Sequence, residues 1–232
     1  MTTLTSTPDR RSRRREVKGY AVVPYPILKQ TTDKLVALTL LVLLSPLLLV
    51  ILLGIGLGML VRSADLGPLL YRERRISRGK EIEVLKFRVL REDVLAHMRR
   101  DGNEHTRLYE ADVENLTWAG RYLIKKWYLD EVPQLLNILK GDMSLVGPRP
   151  WPLEMVRDQL ERGLDYRNFV VAGWTGPAQI QKTDITLRGS EALDLEYVTA
   201  CRTMSGWRLC RYDFRILLKT LKLLVRGQGL RF

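Results

Sequence analysis

From residue 35 to residue 61 the chain carries no charge, and leucine, valine, isoleucine and alanine dominate. An apolar run above ~18 residues is a membrane candidate, and this one exceeds the ~20 needed to span a bilayer as a straight helix. Ser45-Pro46 falls a little before its midpoint, where proline removes a helix hydrogen bond and crowds the preceding turn. Both flanks are basic, with Lys29 and Lys34 before the run and Arg62, Arg72, Arg74, Arg75 and Arg78 after it. The positive-inside tendency wants both flanks on one side of the bilayer. A helix that enters, bends at Ser45-Pro46 and returns satisfies the charges and the proline together; an ordinary kinked span satisfies the proline alone. The Ser45 hydroxyl is placed to satisfy a backbone carbonyl that the kink frees.

Beyond the run the pattern changes period. Residues 69–73 and 83–88 read as short strands, with Arg78-Gly79-Lys80 as the turn between them. Residues 91–116 are polar and irregular and offer no chemistry. Residues 132–139 have helical spacing and stop at Lys140-Gly141, with glycine in the usual stop position. In the C-terminal stretch Trp207, Cys210, Phe214, Leu217, Leu221 and Leu224 recur at steps of three and four. Arg208, Arg211, Arg215, Lys219, Lys222 and Arg226 follow the same rhythm on another face. Such a helix lies in a headgroup layer or forms a core helix with a solvated side. The elements predict an α+β, mostly helical chain: a basic flexible tail over residues 1–30, the apolar helix over 31–63 and a small cytosolic domain over 64–232. That domain combines short strands with amphipathic, interfacial helices.

Charge narrows the partners without choosing one. The 232 residues carry a formal +12, so anionic partners are expected: nucleic acid, an acidic bilayer surface or phosphorylated substrates. Arg10, Arg11, Arg13, Arg14, Arg15 and Lys18 crowd the tail, as in segments that hug anionic surfaces. No short apolar segment with a small-residue cleavage site follows closely, so a secretory signal peptide is not expected. Cys201 and Cys210 have no metal-ligand spacing and read as reduced, packed thiols. His97 and His105 lie far in sequence from either cysteine, so any metal is a hard cation on carboxylates rather than zinc.

The candidate chemistry lies in residues 129–150, LDEVPQLLNILKGDMSLVGPRP. Asp130 and Glu131 stand at the start of the predicted helix, with Pro133 tolerated in its first turn. Neighbours on a helix point about 100° apart, yet at a helix start both can converge on one ligand. The helix N-terminus favours their ionised forms and attracts phosphate. One carboxylate so placed suits attack on phosphorus, the other a hold on Mg²⁺; the plain alternative is a good helix start. Arg149, stiffened by Pro148 and Pro150, has the planar fork that matches two phosphate oxygens. Lys86 and Arg88 share one strand face by the period-two rule and either line the same anionic site or form a solvated face. The loop at Gly173-Trp174-Thr175-Gly176-Pro177-Ala178-Gln179 lets backbone approach a ligand closely or simply turns between core elements.

At this point the residues resemble a family. The 129–150 stretch is similar to the signature of the bacterial sugar transferases, the monotopic phosphoglycosyl transferases that load a phosphosugar onto polyprenyl phosphate. The resemblance covers residues 33–221, through Asp33-Lys34, Ser45-Pro46, Leu70-Tyr71-Arg72, Lys86-Phe87-Arg88, Gly120-Arg121, Thr175-Gly176-Pro177-Ala178-Gln179 and Leu193-Asp194-Leu195-Glu196-Tyr197. It implies a re-entrant helix in one leaflet, broken at Ser45-Pro46. It implies attack by Asp130 on the β-phosphate of a UDP-sugar, release of UMP, and displacement of the aspartate by polyprenyl phosphate. Glu131 then corresponds to the residue that helps hold Mg²⁺ and Arg149 to a substrate-phosphate ligand. Lys86, Arg88 and Lys125 are further candidates for phosphate, and Thr175, Gly176 and Gln179 for the nucleotide or sugar. The implied location is the cytoplasmic face of a bacterial inner membrane, with homo-oligomers allowed and no nucleic-acid partner.

Some positions depart from the family's usual pattern. Trp127-Tyr128 replaces a small polar pair, Lys125-Lys126 an Arg-Lys pair, Ser77 a glycine and Val89-Leu90 a polar-Met pair. They bear on sugar choice and pocket shape rather than on the reaction class. With no multi-helix region upstream, the chain resembles the compact members. A membrane-anchored basic binding module with a structural dyad is the competing reading. Nucleic-acid binding fits the charge but brings no motif.

Overall fold

The computed structural model describes residues 22–102, 106–125, 128–181 and 187–225. Residues 1–21 of the expected tail, with Lys126, Trp127, His105 and Arg226, lie outside the described residues, and residues 27–30 of it belong to a helix. The apolar run forms one helix, α1 (Ile27–Val61), four residues longer at its start than the sequence predicts. Pro46 lies inside it, and helical backbone continues on both sides of Ser45-Pro46. The reason is local. Without an amide at Pro46 the Val42 carbonyl loses its helical partner, and Ser45 Oγ donates to that carbonyl at 2.7 Å.

One stripe of α1 rests on the rest of the molecule along its length, and the opposite side does not. Lys29, Asp33 and Ala37 are buried near the start, and Ile51, Gly54, Ile55 and Gly58 near the end. Between them Leu40, Leu41, Leu44 and Leu48 pack half-buried against the core, while Leu38, Val42, Leu43, Leu49 and Val50 on the other side are exposed. At the far end the absence of side chains on Gly54 and Gly58 admits Leu123, Trp118 and Asp65.

An antiparallel hairpin follows, β1 (Leu70–Ser77) and β2 (Lys80–Phe87), in register from Leu70↔Phe87 to Ser77↔Lys80. Arg78 and Gly79 have φ of 50° and 71°, the pair of positive values that a two-residue type I′ turn requires. The strands are longer than predicted, because the tight turn lets pairing run to its edge.

The stretch over 91–116 contains two helices, α2 (Glu92–Arg100) and α3 (Thr106–Glu110). A π-helical turn over Gly120–Ile124 precedes a 3-10 turn over Leu129–Glu131 and then α4 (Gln134–Lys140). As predicted, α4 ends at Gly141, with φ of 91°. Next come β3 (Ser144–Val146), α5 (Leu153–Glu161) and β4 (Gly173–Thr175), and β3 pairs with β4 in parallel.

Two long helices close the fold, α6 (Leu187–Thr203) and α7 (Gly206–Val225). Along α7, Leu209, Asp213, Ile216, Thr220 and Leu223 turn into the core. Trp207, Phe214, Leu218 and Leu221 stay exposed. The predicted apolar stripe is thus largely outward-facing, and the core stripe is a different one that includes two polar residues.

Those polar residues are satisfied. Lys29 Nζ reaches Asp213 Oδ2 at 2.5 Å and Asp33 Oδ2 at 3.4 Å, and Tyr197 OH donates to Asp213 Oδ1 at 2.8 Å. The Val146 carbonyl accepts from Lys29, and the hydroxyls of Ser144 and Tyr197 also reach it, each dividing its one proton between that carbonyl and a carboxylate, Asp33 for Ser144 and Asp213 for Tyr197. Buried charge costs several kcal/mol per ion unless paired and hydrogen-bonded. This cluster meets that condition where α1, β3, α6 and α7 converge.

Candidate active site

The dyad sits on the 3-10 turn before α4, not within the first α-helical turn. Tyr128 introduces it in the left-handed region, φ 56°, which is uncommon for a bulky residue. Asp130 and Glu131 are nearly buried, at 6% and 8% exposure. Asn137 ties this turn to the hairpin. Its Oδ1 accepts the Leu85 amide at 3.0 Å and its Nδ2 donates to the Glu83 carbonyl at 2.7 Å. That rivet sets the register between α4 and β2, and hence between the dyad and Lys86.

Opposite charges alternate across the site. Glu131 Oε1 accepts from Arg149 at 2.6 Å, with Lys86 Nζ at 3.9 Å. Lys86 also pairs with Glu73 at 2.9 Å, and Glu73 with Arg75 at 2.9 Å. On the other side Lys125 Nζ lies 3.4 Å from Asp130 Oδ2 and 2.6 Å from Glu110 Oε2. Burial pushes the Asp130 carboxyl up and Lys125 pulls it back. Burial opposes the Glu131 anion too, but Arg149 and Lys86 outweigh it and hold that carboxyl below the usual range. Glu73, under the same opposition between burial and its cations, falls to about 2. The two neighbours therefore differ in kind. Glu131 is locked between cations, whereas among the described residues Asp130 makes one long contact, with Lys125, and lines a shallow cleft with Tyr71, Lys86, Thr106 and Glu110.

Comparison with known proteins places this geometry. The profile described as "Bacterial sugar transferase" matches residues 24–227. The chain belongs to the bacterial sugar transferase family. It is 34% identical over 215 residues to the undecaprenyl-phosphate galactose phosphotransferase of Salmonella typhimurium, covering 87% of this chain and 41% of that protein. It is 34% identical over 229 residues to the UDP-glucose:undecaprenyl-phosphate glucose-1-phosphate transferase of Escherichia coli, covering 90% and 44%. With the exopolysaccharide production protein ExoY of Rhizobium meliloti it shares 35% over 215 residues, 87% of each chain. The chain thus spans about two-fifths of the length of the first two relatives and most of ExoY.

Within this sugar transferase fold the predicted site residues divide. Asp130, Glu131, Arg149, Lys86 and Lys125 converge. Arg88 lines the same cleft as Asp130, but its guanidinium donates to the carbonyls of Pro68, Leu90 and Asp65 at 2.5–2.9 Å. It fastens the start of the hairpin, and Gly67 packs against it. Thr175 is likewise turned away: its hydroxyl meets Thr220 of α7 at 2.8 Å. The glycines of that loop serve backbone, not ligand. A Cβ at Gly173 or Gly176 would run into the main chain of Gly147. Gln179 is buried, at 3% exposure, with both amide atoms unpartnered. Ser77, which replaces a usual glycine, donates to the Asp142 carbonyl at 2.6 Å and accepts the Ala172 amide at 3.1 Å.

Three contributors escaped the sequence reading. Glu110 comes from the stretch thought to be without chemistry, Glu73 from mid-strand and Asn137 from the signature helix. The signal for Asn137 was a buried polar residue on the apolar side of a short helix. Glu110 and Glu73 gave none, since the site lysines they meet, Lys125 and Lys86, lie 15 and 13 residues away on other elements. Among the described residues no group of three or more His, Cys, Asp or Glu side chains is arranged to hold a metal.

Proposed function

We propose that this chain transfers a sugar phosphate from a UDP-sugar to a polyprenyl phosphate such as undecaprenyl phosphate, with release of UMP. The observation that carries the proposal is the asymmetry of the dyad: Asp130 faces the cleft, and Glu131 is committed to Arg149 and Lys86. An Asp130 oxygen attacks the β-phosphorus as the bond to UMP breaks, and UMP departs with that electron pair. A phosphate oxygen of the lipid then attacks the same phosphorus, and the Asp130 carboxylate leaves. Lys125 favours the anion of Asp130 before and after transfer. Arg149 and Lys86 exchange Glu131 for phosphate oxygens as the donor arrives.

The donor set suits Mg²⁺, which binds one or two carboxylates and completes its shell with substrate phosphates and water. Glu131, with Asp130 beside it, would hold the ion, which neutralises charge on the diphosphate when bound.

The membrane part of the proposal is re-entry. One stripe of α1 packs on the domain from Lys29 to Gly58 while the rest of its surface is apolar and exposed. A helix that crossed the bilayer would carry its last turns away from that body. The exposed apolar side of α1 enters one leaflet, and the exposed Trp207, Phe214, Leu218 and Leu221 of α7 lie in the headgroup layer beside Arg208, Arg211, Arg215, Lys219 and Lys222. The domain then faces the cytoplasm, where its nucleotide donor is.

The test is UMP release in detergent with undecaprenyl phosphate, Mg²⁺ and a panel of UDP-sugars, wild type against Asp130→Asn. Release with one sugar, lost in the variant, supports the reading and names the donor. Equal release from the variant would sink the covalent route, and silence of folded wild type on every sugar would sink the activity.

A further inference from the structure

Residues 148–152 read Pro-Arg-Pro-Trp-Pro, so the loop that carries Arg149 has amide hydrogens only at Arg149 and Trp151. Its carbonyls look outside the loop for donors. The Gly173 amide donates to Pro148 O at 2.8 Å and the Ile76 amide to Trp151 O at 3.1 Å. The carbonyl of Arg149 itself is served by a side chain, Nη1 of Arg167.

Arg167 is built into place. It is 4% exposed, its Nε donates to Gln159 Oε1 at 2.8 Å and its Nη2 to Asp194 Oδ2 at 2.6 Å. Its guanidinium lies 4.0 Å from the ring centroid of Trp151, two residues beyond Arg149. Asp194 also accepts the Tyr166 hydroxyl at 3.0 Å. Every face of the fork is occupied, so the guanidinium can hold the Arg149 carbonyl in one position only.

We infer that Arg167, anchored by Asp194, is the positioning residue of Arg149 and so sets how tightly the donor diphosphate is held. This rests on the reading of Arg149 as a donor-phosphate ligand. Arg149 carries its own backbone oxygen on Arg167 and its side chain on Glu131. Fixing the backbone between two prolines and one guanidinium leaves only the side-chain torsions to be ordered when phosphate binds. A bound phosphate group displaced by about 1 Å from its productive position loses on the order of a hundredfold in rate. Lysine at 167 keeps a positive charge but gathers its donors on one nitrogen, which cannot span the Arg149 carbonyl, Asp194 and Gln159 as the planar fork does.

The experiment is a double-mutant cycle on the full chain in detergent, with Arg167→Lys and Arg149→Ala alone and together. UMP release gives kcat and KM for the donor, and UDP binding by calorimetry gives affinity without turnover. Arg167→Lys in the wild-type background is expected to raise the donor KM and the UDP dissociation constant at least tenfold. In the Arg149→Ala background the same change is expected to alter kcat/KM less than twofold. An equal loss in both backgrounds would show a general structural role and overturn the inference. Should Arg167→Lys fail to fold, Trp151→Phe, which trims the surface beneath the guanidinium, goes through the same cycle and is held to the same standard. Wild type that neither binds UDP nor releases UMP would overturn the function and this inference with it; active wild type with an additive cycle would overturn the inference alone.

Discussion

Gly173→Ala tests whether the pairing of β3 with β4 is what holds the Arg149 loop. An added Cβ would sit 2.5 Å from Gly147 Cα and 2.6 Å from its carbonyl oxygen, and closer still to its amide nitrogen. All three are backbone atoms, so no side chain can rotate aside. The strands must part by roughly 1 Å to restore ordinary contact near ~3.5 Å. That strains the bonds Ser144 N→Ala172 O at 2.8 Å, Gly147 N→Thr175 O at 2.9 Å and Gly173 N→Pro148 O at 2.8 Å. At about 1 kcal/mol for each bond, and more for groups left buried and unpaired, the cost is about 3–5 kcal/mol. Gly56, where a Cβ meets nothing within 4 Å, is the control. Gly56→Ala on α1 is expected to be neutral or stabilising by up to ~1 kcal/mol. Denaturant unfolding in detergent, followed by circular dichroism, measures both, and UMP release reports the loop. A Gly173→Ala protein within about 0.5 kcal/mol of wild type, with full activity, would refute the argument from close approach.

Other perturbations have definite signs. Glu73 falls from the ordinary 4.5 to about 2 in the folded state, worth about 3 kcal/mol. A depressed carboxylate contributes above its unfolded value, so wild type should lose that amount as pH drops from about 4.5 towards 2, and Glu73→Gln should show a flatter unfolding profile there. Ser45→Ala should cost about 1 kcal/mol by orphaning the Val42 carbonyl, and Ser45→Ala with Pro46→Ala should recover it, because residue 46 then supplies an amide; thermal midpoints decide. Burial pushes the Cys201 thiol up to about 11, so maleimide at pH 7.5 should modify half-buried Cys210 and spare Cys201 until denaturant is added, read by mass spectrometry.

Much of the architecture could be read locally. The uncharged run announced α1, Arg78-Gly79 announced a hairpin and Gly141 announced the end of α4, because each depends on backbone preferences within a few residues. The Ser45 hydroxyl could be anticipated for the same reason: proline at 46 removes a donor whose acceptor is known in advance. The continuity of α1 could not, since it depends on that repair succeeding. The site was legible where one segment holds its parts, as in 129–150. It was not legible where the part depends on what packs against it. Arg88 looked like a phosphate ligand until three carbonyls were found around it. Gly173 and Gly176 looked like room for a ligand until Gly147 was found there. Glu110 was passed over because nothing near it in sequence hints at Lys125.

One oxygen carries a wider consequence. The Val146 carbonyl is shared by Lys29 of α1, Ser144 of β3 and Tyr197 of α6, directly ahead of the loop that presents Arg149. A protein with a mere tether can be cut free of it and keep its shape. Here a cut at residue 62 would strip Lys29 from Asp213 and uncap the strand that precedes the Arg149 loop, so α1 and the domain it rests on hold their shape together. The family match begins at residue 24, ahead of α1.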